Sequence, residues 1–93
     1  IRAMAPDPIV FALAVPEPEV DPGVARAAGA RVIATGRSDY PNTMDVSLVF
    51  PGVFRGLLDC RARNIRLRTL LYAARALAGV IPEHELHPDY ILP

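Results

Sequence analysis

The feature that most constrains the fold is an uninterrupted apolar run, PIVFALAV, over residues 8–15. Pro16 ends the run, which is far shorter than a membrane span and has the length of one strand. A strand with no polar alternation is typical of a parallel sheet whose two faces are both covered by helices. The sequence therefore predicts a β-strand over residues 8–15 that is buried on both faces.

The residues that follow predict a parallel crossover. The proline-rich residues 16–19 cannot continue a strand ladder and form a loop. Asp21 is a suitable helix N-cap and Pro22 suits the first helical position, so a short helix is predicted to run to about Ala28 and to stop at Gly29. Residues 31–35 predict a second short buried strand. This order of strand, helix and strand indicates an α/β fold with parallel strands.

Two more helices are predicted after the second strand. One covers residues 51–60, and Asn64 is the predicted cap of a longer helix that reaches about Val80. Apolar residues recur along the longer helix at three- and four-residue spacing, which predicts an amphipathic helix covering the sheet. They are Leu67, Leu70, Leu71, Ala74, Leu77 and Ile81. The tail, residues 82–93, is predicted to be irregular, with residues 90–92 packed back on the body.

Composition excludes several classes of partner. The chain has 93 residues, ten basic and ten acidic, with a net charge of zero, so nothing favours binding to nucleic acid or to an anionic membrane. A hydrophobic content of 52% predicts one packed domain, and a cytoplasmic location is expected. Cys60 has no partner for an internal disulfide and is expected to be a buried thiol. The start at Ile1, directly before a strand, suggests a fragment of a longer protein.

No set of side chains has catalytic or metal-binding spacing. His84 and His87 are three residues apart but lack a third metal ligand, so a surface role is favoured for them. Ser38 and Asp39 have no histidine nearby to activate a nucleophile, so a turn is favoured there. Four arginines, at positions 61, 63, 66 and 68, form a basic patch that we interpret as a solvated helix entrance or as partner salt bridges. The polar residues 36–43 follow the second strand, where ligands bind in open α/β sheets.

Longer stretches of sequence carry a resemblance that covers nearly the whole chain. They are PIVFALAVPEP at residues 8–18, ARVIATGRSDYPN at 30–42, FPGVFRGLLD at 50–59 and DYILP at 89–93. Together they resemble malic enzymes of the bacterial type, and the pairing of TGRSDYPN with FPGVFRG is the most specific part. The resemblance implies a partial Rossmann-type domain, with short parallel strands and covering helices. Residues 1–93 would be the C-terminal segment of its NAD(P)-binding domain.

The resemblance also implies an activity for a complete parent protein. Malic enzymes oxidise malate with NAD or NADP and a divalent metal, Mg or Mn, and decarboxylate the product to pyruvate. In the family the lysine base, the tyrosine acid, the metal carboxylates and the glycine fingerprint all precede this segment. No catalytic residue and no metal ligand is therefore assigned here, and no cofactor is expected to bind the segment alone. The implied partners are malate, the nicotinamide cofactor and the rest of the parent chain.

The segment would contribute side chains to the edge of the pocket, and there it departs from the family. Malic enzymes usually carry asparagine at the three positions that Val15, Asp45 and Val46 occupy here. Each lost hydrogen bond to a charged group is worth about 1.5 to 3 kcal/mol, or roughly ten- to a hundredfold in binding or rate. Asp45 also places a negative charge near an anionic substrate. The predicted cofactor-binding residues are Ala14, Val15, Gly36 and Val46, and the predicted substrate-binding residues are Val15, Asp45 and Val46.

Three interpretations follow. The first is a piece of a malic-enzyme-like oxidoreductase whose parent lost the activity, handles another ligand or was altered at these positions. The second is a non-catalytic nucleotide-sensing or protein-interaction module descended from the family. The third is a structural fragment that persists by oligomerising. Unpartnered strands expose backbone edges and apolar faces, so we expect a homo-oligomer. The choice between NAD and NADP is made by a residue upstream.

Overall fold

The structure is a computed structural model that describes all 93 residues, Ile1–Pro93. Strands β1 (Ile9–Ala12) and β2 (Val32–Thr35) flank helix α1 (Pro22–Ala27). Helices α2 (Phe50–Asp59) and α3 (Leu67–Ala78) follow, and short 3-10 turns lie at Val46–Leu48 and Glu83–Glu85. The Cα radius of gyration is 15.3 Å, larger than the roughly 12 Å expected for a compact chain of this length. The molecule is therefore elongated. None of its helices is long and apolar enough to cross a membrane.

The predicted parallel crossover is confirmed. β1 and β2 pair in parallel, from Ile9 opposite Val32 to Ala12 opposite Thr35, and α1 connects them. Asp21 caps α1 by accepting a 3.1 Å hydrogen bond from the Val24 N–H. The helix ends before Gly29, whose φ of 105° suits a residue without a Cβ. Local capping chemistry therefore sets both ends of this helix.

The buried hydrophobic residues are few, and their main cluster lies between α1 and β2. Ala25 of α1 packs with Ala30 and Ile33, and partly buried Val10 and Val20 surround them. On β1, however, Ile9 is 61% exposed and Phe11 is 50% exposed. The prediction that β1 is buried on both faces is wrong, because nothing in the chain covers its Ile9 and Phe11 side chains.

The second half of the chain departs further from the sequence predictions. Neither α2 nor α3 contains a buried residue, so α3 does not cover the sheet within these 93 residues. Helix α3 begins at Leu67 with Arg66 at its N-cap, rather than after an Asn64 cap. Cys60 at the end of α2 is exposed, contrary to the expected buried thiol. The apolar stripe of α3 is present in the sequence, but none of its residues within the helix is buried.

Candidate functional site

The predicted pocket residues lie at one edge of the sheet, which we call the carboxyl edge because both strands end there, at Ala12 and Thr35. Residues 13–19 leave this edge from β1, and residues 36–43 leave it from β2. The second loop then returns beside its own strand. Thr43 forms a bridge with Thr35, and the Met44 N–H donates to the Thr35 carbonyl oxygen at 2.7 Å. The edge therefore gathers all three predicted stretches.

Val15 and Gly36 approach each other closely across the carboxyl edge. A Cβ on Gly36 would lie 3.1 Å from the Val15 Cγ1 and 3.4 Å from the Leu13 carbonyl oxygen. Val15 is 72% exposed, so its apolar surface faces away from the core. The peptide bond that joins it to Pro16 is cis. These two predicted residues share one surface, and a side chain at position 36 would disturb it.

Ala14, beside Val15, is held by its backbone. Its N–H donates to the Glu19 carboxylate at 3.1 Å, which closes the loop of residues 14–19 on itself. The same hydrogen bond lowers the pKa of Glu19 below its ordinary value. The backbone of Ala14 is thus tied to its own loop at the carboxyl edge.

Asp45 and Val46 form a separate part of the same edge. The Asp45 carboxylate caps the turn Val46–Leu48 by accepting a 2.7 Å hydrogen bond from the Ser47 N–H. This bond lowers the pKa of Asp45, so the carboxylate is charged at neutral pH. Val46 is 64% exposed, and no hydrogen bond joins this turn to the loop that carries Val15. The structure thus gives Asp45 a capping role that the sequence analysis did not foresee.

Arg37, which the sequence analysis did not single out, ties the two loops of the edge together. Its guanidinium donates to the Asp39 carboxylate at 2.7 and 2.9 Å and to the Glu17 carboxylate at 3.1 and 3.2 Å. It also lies 5.7 Å from the centre of the Tyr40 ring. The hydrogen bonds to Asp39 raise the pKa of Arg37 and lower that of Asp39. This cluster links residue 17 after β1 to residues 37–40 after β2.

Asn42 is the second residue that sequence reasoning missed. It is only 6% exposed, and its side-chain amide donates to the carbonyl oxygens of Ile33 at 3.0 Å and Pro88 at 2.8 Å. Its side-chain oxygen accepts from the Ile91 N–H at 2.9 Å. The predicted packing of residues 90–92 on the body is confirmed in part: Leu92 is buried and Ile91 is half-buried, but Tyr90 is 42% exposed. The polar sequence of residues 36–43 does not indicate this role, in which the buried Asn42 amide joins the tail to β2.

The ionisable side chains at the carboxyl edge, such as Glu17, Asp39 and Asp45, take part in ion pairs and hydrogen bonds within the loops and the turn. No three His, Cys, Asp or Glu side chains lie together as a possible metal site, and the residues present do not form one. A concavity of about 590 Å³ lies between α2 and α3 rather than at this edge. We call it the helical groove; apolar residues such as Val53, Leu57 and Leu77 line it. The groove leaves the apolar faces of the two helices uncovered within the chain.

Comparison with known proteins shows which family the chain resembles. No family model matches the chain. It is 56% identical, over all its 93 residues, to the NAD-dependent malic enzyme of Geobacillus stearothermophilus, and 50% identical to the bifunctional malic/malolactic enzyme of Bacillus subtilis. The chain is a malic-enzyme-like segment. It spans only 19% and 23% of those two relatives, about a fifth of their length.

Solved structures of malic enzymes contain the same arrangement of strands and helices. The malic enzyme of Pyrococcus horikoshii superposes with a TM-score of 0.90 at 49% identity, and that of Entamoeba histolytica with 0.91 at 42% identity. Each match covers 99% of this chain but 21% and 19% of the other. The fold prediction is confirmed: this malic-enzyme-like segment is a partial α/β Rossmann-type domain. Relatives named as NADP-dependent also match, such as the enzyme of Rhizobium meliloti at 46% identity over 84 residues.

Proposed function

We propose that the chain is the C-terminal segment of the NAD(P)-binding domain of a malic-enzyme-like oxidoreductase. The complete protein would oxidise malate with NAD or NADP and Mg or Mn and release pyruvate, and this segment alone would be inactive. The observation that carries the proposal is the match of the entire chain to malic enzymes at up to 56% identity. The cytoplasmic location expected from the sequence is part of the proposal.

In this proposal the segment supplies one wall of the active-site pocket. Ala14, Val15, Gly36 and Val46 would line the cofactor side, and Val15, Asp45 and Val46 the substrate side. Their support is geometric. Ligands of open α/β sheets bind beyond the carboxyl ends of the strands, and these residues lie there. The close approach of Val15 and Gly36 leaves an uninterrupted surface against which a flat ring can rest.

The wall is poorer in hydrogen-bonding groups than the family pattern requires. Valine at positions 15 and 46 can neither donate nor accept a side-chain hydrogen bond. Asp45 accepts from Ser47 and is ionised at neutral pH, so it would repel the carboxylates of malate. We therefore infer that a parent with these residues turns over malate more slowly than its relatives do.

The remaining surfaces fit a segment that packs against other polypeptide. Apolar surface is exposed in the helical groove and at Ile9 and Phe11 of β1. Exposed apolar patches of this kind are typical of surfaces that contact other polypeptide. The rest of the parent chain is the first proposed occupant. A homo-oligomer is the second, because the outer edges of β1 and β2 are unpaired.

A segment-replacement chimera tests the proposed function. The 93 residues would replace the aligned stretch of the Geobacillus stearothermophilus enzyme, since the alignment covers the whole chain. We expect a folded chimera that reduces NAD in the presence of malate at a rate below that of its host. A chimera that folds but shows no turnover even with asparagine at positions 15, 45 and 46 would contradict the proposal.

The second candidate, a nucleotide-sensing module, is favoured by the same three side chains. Isothermal titration of the chain with NAD, NADP and malate in the presence of magnesium separates the two functions. The segment proposal predicts that NAD, NADP and malate give the isolated chain no saturable heat beyond what inorganic pyrophosphate gives. Saturable binding of NAD or NADP that excess pyrophosphate does not displace, together with an inactive chimera, would establish the sensing function instead.

A further inference from the structure

The charges of this chain are segregated along its sequence. The net charge is zero, yet residues 60–82 contain five arginines and no acidic residue. These arginines are Arg61, Arg63, Arg66, Arg68 and Arg75. The connection between α2 and α3 and the start of α3 are therefore strongly positive, while the rest of the chain carries the balancing negative charge.

Three of these arginines surround a concavity at the start of α3, which we call the arginine pocket. Its volume is about 430 Å³, and it is lined by Arg61, Ala62, Arg63, Asn64, Arg66 and Thr69. That volume falls within the range of small-ligand sites. None of its lining residues is acidic, so an anion would meet no repelling carboxylate there.

The guanidinium groups of the arginine pocket have no partners within the chain. The ion pairs of the molecule use Arg26, Arg37 and Arg55, and none involves Arg61, Arg63 or Arg66. The acidic residue closest in sequence, Asp59, is already paired with Arg55 at 2.9 Å. Three unpaired guanidinium groups around one concavity repel one another, and a negative charge between them would offset that repulsion.

The backbone adds donors to the same pocket. Arg66 at the N-cap of α3 makes no side-chain capping bond, so the first N–H groups of this 12-residue helix lack a side-chain acceptor. Helix N-termini carry partial positive charge and bind phosphate through such groups. Guanidinium groups match phosphate oxygens in paired, parallel hydrogen bonds.

We propose that the arginine pocket is a binding site for the phosphoryl group of a small metabolite. The site is independent of the carboxyl edge and of the proposed malic activity. Its ligand is a compact dianion that Arg61, Arg63 and Arg66 bind together at the start of α3. Carboxylates of the remaining parent chain are the competing partners of these arginines.

The test is titration of the chain with inorganic phosphate and pyrophosphate, followed through the backbone amide resonances of residues 61–69. We expect saturable shifts confined to this region, weakened by raising the salt from about 50 to about 200 mM. The double substitution R63Q/R66Q should weaken binding about tenfold or more. R75Q removes an equally unpaired arginine of α3 outside the pocket and should leave the affinity within about twofold.

Three results would overturn the proposal. One is the absence of saturable shifts, and another is an equal loss of affinity in R63Q/R66Q and R75Q. The third is malate binding as tightly as phosphate, which would show a site for any anion. Circular dichroism of each variant checks that the helices persist, and these exposed substitutions leave the small core untouched. Failure here leaves the malic-enzyme proposal standing, because the chimera does not depend on the pocket.

Discussion

At the scale of single residues, the carboxyl edge depends on side chains that the sequence pattern alone does not mark. The cap of α1 and the end of β2 at Thr35 are predictable because they follow from local chemistry, whereas β1 ends at Ala12 and not at Val15. The buried position of Asn42 is not predictable, because its partners Pro88 and Ile91 are more than 40 residues away in the chain. The pairing of Arg37 with Glu17 across 20 residues is unpredictable for the same reason.

Replacing Asn42 is expected to loosen the tail. Asn42→Ala removes three hydrogen bonds and leaves buried backbone groups unpaired, which should lower the free energy of unfolding by about 2 to 3 kcal/mol. Asn64→Ala is the matched control, because Asn64 is exposed and makes no hydrogen bond. Urea denaturation measures both variants. Equal midpoints for the two would show that the tail is not held by Asn42.

Adding a methyl group at Gly36 should disturb the contact with Val15. Gly36→Ala brings the new Cβ to 3.1 Å from the Val15 Cγ1, and relieving this contact should cost about 1 kcal/mol. Gly56→Ala in α2 meets nothing within 4 Å and should instead stabilise its helix by roughly 0.5 to 1 kcal/mol. Thermal unfolding of the two variants shows whether each substitution stabilises or destabilises the fold. A stabilising Gly36→Ala would mean that the two loops are further apart.

At the scale of elements, the sequence predicts the ends of helix α1 and the presence of β1 and α3, but not how far β1 and α3 are buried. The ends of α1 are set by Asp21 and Gly29, which act on their own neighbours. The apolar pattern of β1 and α3 specifies which face is to be covered but not whether the covering element lies within the chain. Asn64 failed as a cap because α3 begins later, at Leu67, where no side chain caps the helix.

The cap of α1 has a defined contribution. Asp21→Ala should lower the free energy of unfolding by about 1 kcal/mol, because the Val24 N–H loses its acceptor. Asp21→Asn keeps an acceptor oxygen and should change stability much less. The difference between the two variants, measured by urea denaturation, isolates the hydrogen bond. Identical losses would assign the effect to charge instead.

The loops of the carboxyl edge should open in acid. Glu19, Asp39 and Asp45 all have a lowered pKa in the fold, through Ala14, Arg37 and Ser47 respectively. Their contribution to stability is therefore complete above the unfolded-state pKa of about 4 and is lost as the pH falls through their lower folded values. The protection factors of the amides in residues 14–19 and 36–47 should be constant near neutrality and should fall below about pH 4.

A single variant checks the cause of this acid opening. Asp39→Asn cannot lose a charge, so part of the pH dependence should disappear from residues 36–47. The opening of residues 14–19, which depends on Glu19, should persist in that variant. Unchanged acid opening of both loops in Asp39→Asn would contradict the role given to Arg37 and Asp39.

At the scale of the whole molecule, the chain has few buried residues, and two of its three α-helices have none. Its elongated shape and its helical groove leave apolar surface uncovered within the 93 residues. We expect the isolated chain to self-associate through these surfaces. Light scattering should give a mass above that of one chain at moderate concentration, and a monomer mass would contradict the expectation.

The central claim is that an intact framework carries an altered pocket wall at positions 15, 45 and 46. Its most direct test is the kcat/KM for malate of the chimera before and after the substitutions V15N, D45N and V46N together. Restored hydrogen bonds predict a rise of about tenfold or more, while V24N, an exposed valine on α1, should change nothing. An unchanged kcat/KM in the folded triple variant would show that these residues do not line the pocket.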